Sequence, residues 1–128
     1  MDEHPNAKWF REMDEKVRAG DFAAIADTLA DDVEWHEIGR DEPIRGKDAV
    51  VARWTQTPLA DVQMEGSLHD VVANDDHTIA LVETTVRRGD QSFTYRTAEI
   101  THMKDGKVTA RWAFSDDTDR INKFFAGT

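Results

Sequence analysis

The sequence predicts an α+β domain in which helices gather on one face of a curved, mostly antiparallel sheet and leave a pocket beneath them. Apolar residues recur at helical spacing mainly in the N-terminal half, four runs of strand-like residues follow in succession, and the turns between those runs are short and polar. Such an arrangement needs one core, and 128 residues suffice for it, so residues 1–128 are read as a single domain.

The first helix is predicted from Asn6 to Ala19, where Phe10, Met13 and Val17 recur at helical spacing. Gly20 suits the left-handed position after it, and Asp21 can cap a second helix with the apolar stripe Phe22, Ile25 and Leu29. From Val33 to Ile38 the period changes to two, placing Val33, Trp35 and Glu37 on one strand face and Glu34, His36 and Ile38 on the other. After the turn residues Gly39 to Pro43, Gly46-Lys47-Asp48 opens a third helix that buries Val50, Val51 and Trp54 and ends by Pro58.

The remainder reads as an antiparallel meander: Val62 to Ala73, Thr78 to Arg87, Ser92 to Met103 and Lys107 to Phe114. On the third of these strands Phe93, Tyr95, Thr97, Glu99, Thr101 and Met103 share a face, and on the fourth Val108, Ala110, Trp112 and Phe114 do. Asp116, Asp117 or Thr118 caps a short C-terminal helix carrying Ile121, Phe124 and Phe125.

Composition narrows the function. The formal charge of −10 opposes binding to nucleic acid or to anionic membranes. No apolar run is long enough to span a bilayer, the N-terminus has no secretory pattern, and a cytoplasmic protein is expected. Without cysteine there are no disulfides, thiolate metal sites or cysteine nucleophiles. The histidines His4, His36, His69, His77 and His102 are scattered, and Arg40 stands where a zinc helix beginning at His36 needs its second histidine, so no metal is expected. Glycine-rich phosphate loops and nucleophile elbows are absent from the sequence. The expected partners are a small hydrophobic ligand and a second copy of the chain.

Four short segments, in order, carry a family resemblance: Ala19-Gly20-Asp21-Phe22, Leu29 to His36, Arg45 to Val50, and Asp105-Gly106-Lys107-Val108. They make nearly the whole chain similar to the SnoaL-like branch of the nuclear transport factor 2-like superfamily, which includes polyketide cyclases, ketosteroid isomerase and limonene-epoxide hydrolase. The resemblance implies a cone-shaped α+β barrel and, from the cyclases, acid/base chemistry without metal or cofactor. It places Glu37 where the isomerase has its base and Glu99 where it has its oxyanion acid, the paired-acid arrangement of that enzyme. Met13 stands where the isomerase has a tyrosine, and Ala113 where the epoxide hydrolase has its last-strand aspartate.

The residues themselves also single out Glu37 and Glu99, because each lies in phase with apolar strand positions. Burial there would favour the neutral acid, and two such groups close together could divide into an acid and a base. The same positions suit strand ends open to water, with both carboxylates solvated or paired with arginine. Trp35, Tyr95, Trp112, Met13 and Trp54 are the candidate substrate wall, with ordinary core as the other reading of the aromatic residues. Two functions remain open: a cofactor-independent cyclase, isomerase or lyase/hydratase acting on a small carbonyl compound, and a domain that only binds or dimerises.

Overall fold

Pro5 opens the first helix, α1 (Pro5–Arg18), with the side chain of His4 accepting a hydrogen bond from the Asn6 amide at 3.1 Å. The computed structural model, which describes residues 3–56 and 62–126, ends this helix at Gly20, whose φ is +84°. The amides of Gly20 and Asp21 donate back to the carbonyls of Val17 and Lys16, the crossed pair that closes a helix on a left-handed residue. Asp21 then caps α2 (Phe22–Ala26) by accepting from the Ala24 amide at 3.2 Å. This helix is shorter than its apolar stripe predicts. The Thr28 hydroxyl donates to the Ile25 carbonyl, and Leu29 begins a strand instead of ending the helix.

Among the described residues the strands are β1 (Leu29–Trp35), β2 (Ile44–Arg45), β3 (Gln63–Ala73), β4 (His77–Arg88), β5 (Gln91–Lys104) and β6 (Lys107–Ser115). Helix α3 (Lys47–Gln56) lies between β2 and β3, and α4 (Thr118–Ala126) follows β6. One curved, open sheet takes the order β2-β1-β6-β5-β4-β3. The predicted meander is β3 to β6, each pair antiparallel. Two features add to the expected architecture: β2 pairs with β1, and β1 lies parallel to β6, making the sheet mixed. The predicted helix end at Pro58 falls outside the described residues.

An irregularity in β6 changes which side chains face the helices. Met103 pairs with Val108, but His102 pairs with Ala110, so Thr109 is an extra residue on β6 and the alternation reverses beyond it. Arg111 and Ala113 therefore stand opposite Thr101 and Glu99 on the inner face, while Trp112 and Phe114 stand opposite Ile100 and Ala98 on the outer one. This corrects the expectation that Trp112 and Phe114 share the face of Val108, and the expectation that Ala113 lies outside. Phe114 is 58% exposed.

Three apolar clusters hold the helices to the inner face. Leu29, Val33, Val50, Met103 and Val108 tie α3 to β1 and β6; Ala7, Val71 and Ala80 tie α1 to β3 and β4; Val86, Phe93, Tyr95, Ile121 and Phe124 tie α4 to β4 and β5. The first and third clusters each remove several large side chains from water, at about 1.5–3 kcal/mol for each one fully buried.

Candidate active site

The inner face is hollow where the clusters leave off. One cavity, of about 440 Å³, lies under α1 and α2 and is walled largely by apolar groups such as Trp9, Phe10, Met13 and Val108. A second, of about 840 Å³, extends toward α4 and includes Thr84, Tyr95, Thr97 and Asn122. Both fall within the range of small-molecule sites. They share Trp35, Glu37, Arg53, Trp54, Glu99 and Arg111, so a charged cluster set between two tryptophans marks the junction of the two chambers.

Each glutamate at that junction has its own arginine. Arg53, from α3, donates through Nε to the Glu37 carboxylate at 3.1 and 3.4 Å. Arg111, from β6, donates through Nη2 to Glu99 Oε1 at 2.6 Å and through Nη1 to the His36 carbonyl at 3.0 Å. Its guanidinium also lies 4.7 Å over the ring of Trp35, which meets Trp54 edge-on with centroids 5.2 Å apart. The acids are thus two Glu–Arg pairs, the arrangement foreseen as the alternative to an acid dyad. The Arg111–Glu99 pair is the more shielded, with side chains 15% and 25% exposed, against 40% and 32% for Arg53 and Glu37.

Strand register explains how the cluster assembles. Glu99 lies between Thr97 and Thr101 on the inner face of β5, opposite Ala80 and Ala113, whose small side chains leave room above it. Glu37 follows β1, which ends at Trp35, so its position comes from the loop and from Arg53 rather than from strand alternation. For the same reason Ile38, expected on the outer face, joins the Phe93 and Tyr95 cluster and lines the second chamber.

Tyr95 is 5% exposed. Burial, and secondarily the negative charge of Glu99, pushes its phenol up from the ordinary tyrosine value against a hydrogen bond with Thr84. It therefore offers a protonated hydroxyl to the second chamber at neutral pH. Of the predicted wall, Met13 lines the first chamber, Tyr95 the second, and Trp35 and Trp54 both. Trp112 does not line either one. It stacks on His36 on the other side of the sheet, with centroids 4.9 Å apart and planes at 15°, because the extra residue Thr109 has turned it outward.

Arg53 and Arg111 were missed by sequence reasoning. The available signal was charge balance, since carboxylates in an apolar pocket need cationic partners, and each arginine adjoins a tryptophan in sequence. Among the described residues, no group of three or more metal-ligating side chains gathers. None of the described helices is long and apolar enough to cross a membrane.

A sequence model of the SnoaL-like domain matches residues 10–111. The chain belongs to the SnoaL-like family. No curated protein matches this SnoaL-like chain in sequence. Its fold is similar to that of Bal32a from a soil-derived mobile gene cassette, with a TM-score of 0.80, 20% identity, and 94% of this chain and 95% of that one covered. It is also similar to IdmH of Streptomyces antibioticus, provisionally described as a polyketide cyclase: TM-score 0.72, 17% identity, 98% and 100% covered. An LEH-like epoxide hydrolase of M. tuberculosis superposes with a TM-score of 0.64, at 20% identity over 88% and 84% of the two chains. Identities this low establish a shared fold, and the chemistry has to be argued from the site.

Proposed function

We propose that the chain is a cofactor-independent acid/base enzyme of the cytoplasm, a cyclase, isomerase or related lyase/hydratase, acting on a small hydrophobic carbonyl compound of polyketide-like or steroid-like character. One observation carries this reading: Glu37 and Glu99 both line both chambers, where a ligand spanning the junction would meet them. In the proposed step one glutamate takes a proton from the carbon beside the carbonyl. The C–H electron pair moves to the carbonyl oxygen, where the Arg53 and Arg111 guanidiniums stabilise the developing charge. The enolate then either regains that proton from the glutamic acid at another carbon, or attacks a second carbonyl, whose oxygen takes the proton as the new C–C bond forms. Trp35, Trp54, Met13 and Tyr95 would position the substrate.

Exchange in heavy water tests the step without knowledge of the natural substrate. Aryl alkyl ketones and β-diketones should gain α-deuterium faster with the protein than in buffer, and Glu37→Gln or Glu99→Gln should slow this roughly 10²- to 10⁴-fold. A second reading, a domain that only binds, is favoured by the arginine on each glutamate, since structural ion pairs look the same. Ligand binding without any accelerated exchange would select it.

We also propose a homodimer through the outer sheet face. Val72, Ile79, Ile100 and Trp112 form a row across four strands, and Leu81, Ala98 and Phe114 form a second. Val72, Ile79, Leu81 and Phe114 are exposed, which is more apolar surface than an uncovered sheet usually keeps wet.

A further inference from the structure

The inner face of β5 runs through both chambers and orders its side chains along them. Tyr95 and Thr97 line only the second chamber, Glu99 lines both, and Thr101 lines only the first. Alternate residues of an antiparallel strand stand about 7 Å apart. Thr97 is thus one step from the reactive junction, on the side away from the apolar chamber. It is only 8% exposed, yet its hydroxyl has no hydrogen-bond partner among the described residues, whereas Tyr95 beside it interacts with Thr84. A hydroxyl that lines a cavity without a protein partner is open to pairing with a ligand atom.

We propose that Thr97 determines specificity: the substrate is a two-ended carbonyl compound with a hydrocarbon end in the chamber under α1 and α2, and an oxygen substituent about 7 Å from the reacting carbon, hydrogen-bonded to Thr97. This rests on the acid/base reading for the placement of the reacting carbon at Glu99. The chamber under α1 and α2 favours the hydrocarbon end, since most of its wall, Phe10, Met13 and Val108 included, offers no hydrogen-bond partner. Thr97 selects the other end by the penalty on leaving its hydroxyl unpaired.

Butyrophenone and para-hydroxybutyrophenone are matched probes, each with a propyl chain beside the carbonyl and differing only in the distal hydroxyl. Calorimetry should show the hydroxylated ketone binding roughly three- to ten-fold more tightly, as one neutral hydrogen bond allows. Thr97→Val should abolish that preference by weakening only the hydroxylated ketone, and Thr97→Ser, which restores a hydroxyl, should retain it. Equal binding of the two ketones by the unaltered protein, failure of both to bind, or an undiminished preference in Thr97→Val would overturn the assignment. Deuterium exchange is read separately. Selective binding without exchange would sink the enzyme reading and leave Thr97 as a ligand contact, while exchange without selectivity would do the reverse.

Discussion

Arg111 reaches Glu99 on a diagonal: the arginine stands opposite Thr101 and the glutamate opposite Ala113, yet Nη2 and Oε1 are 2.6 Å apart. That bond crosses the seam between β5 and β6 at the junction of the two chambers. Arg111→Met would leave Glu99 shielded without its counter-charge and the His36 carbonyl without its side-chain donor. The expected loss is about 1–3 kcal/mol in urea unfolding. Adding Glu99→Gln should recover part of it, because two neutral groups tolerate the site better than one orphaned charge. Additive losses would show that the pair contributes no coupling.

Tyr95 is the one tyrosine in the chain, so phenolate absorbance reports it alone. Its raised value means that the folded state holds the phenol proton more tightly than the unfolded state does. The resulting stability is fully present below the ordinary tyrosine value, about 10, and is lost as pH rises through the folded value. Alkaline titration of the folded protein should be displaced upward, and Glu99→Gln should draw it partly back. Tyr95→Phe should flatten the alkaline decline in stability. A titration centred at the ordinary value would contradict the burial argument.

Sedimentation should show a dimer at micromolar concentration, and Phe114→Asp, which sets a charge at the β6 end of the second outer row on its most exposed member, should yield monomer with unchanged secondary structure. A monomeric unaltered protein would refute the proposed interface.

Gly39 has φ of +75° and the Asn122 side chain lies against it, where a β-carbon would collide with the amide. Gly39→Ala should therefore cost about 1–3 kcal/mol from backbone strain alone, plus the displacement of Asn122. In the Gly39→Ala/Asn122→Ala pair the collision is relieved and the strain remains. Thermal unfolding of the single and double variants separates the two contributions.

Local chemistry made most of the fold legible. Gly20 and Asp21 announce a helix end and a new cap, and the turn residues around Asn74, Gly89 and Gly106 set the meander. What the sequence concealed was non-local. Ile44 and Arg45 form too short a strand to show a period, and the parallel pairing of β1 with β6 joins segments far apart in the chain. The site divides in the same way. Glu99, Thr97 and Tyr95 follow from alternation along a regular strand, whereas Arg111 comes into view only once Thr109 is known to be supernumerary. Trp112 was misplaced for the same reason, since alternation assumes an unbroken ladder.

Thr109 makes register the sensitive variable in the last strand. Arg111 and Trp112 are consecutive, one bonded to Glu99 inside the cavity and the other stacked on His36 outside. If Thr109 took a regular place in the ladder opposite His102, every later residue of the strand would shift by one, sending the guanidinium into solvent and the indole into the chamber. An in-frame deletion of the Thr109 codon is therefore a tolerable genetic change, since it removes the irregularity while the lining of the molecule and its exterior keep their places.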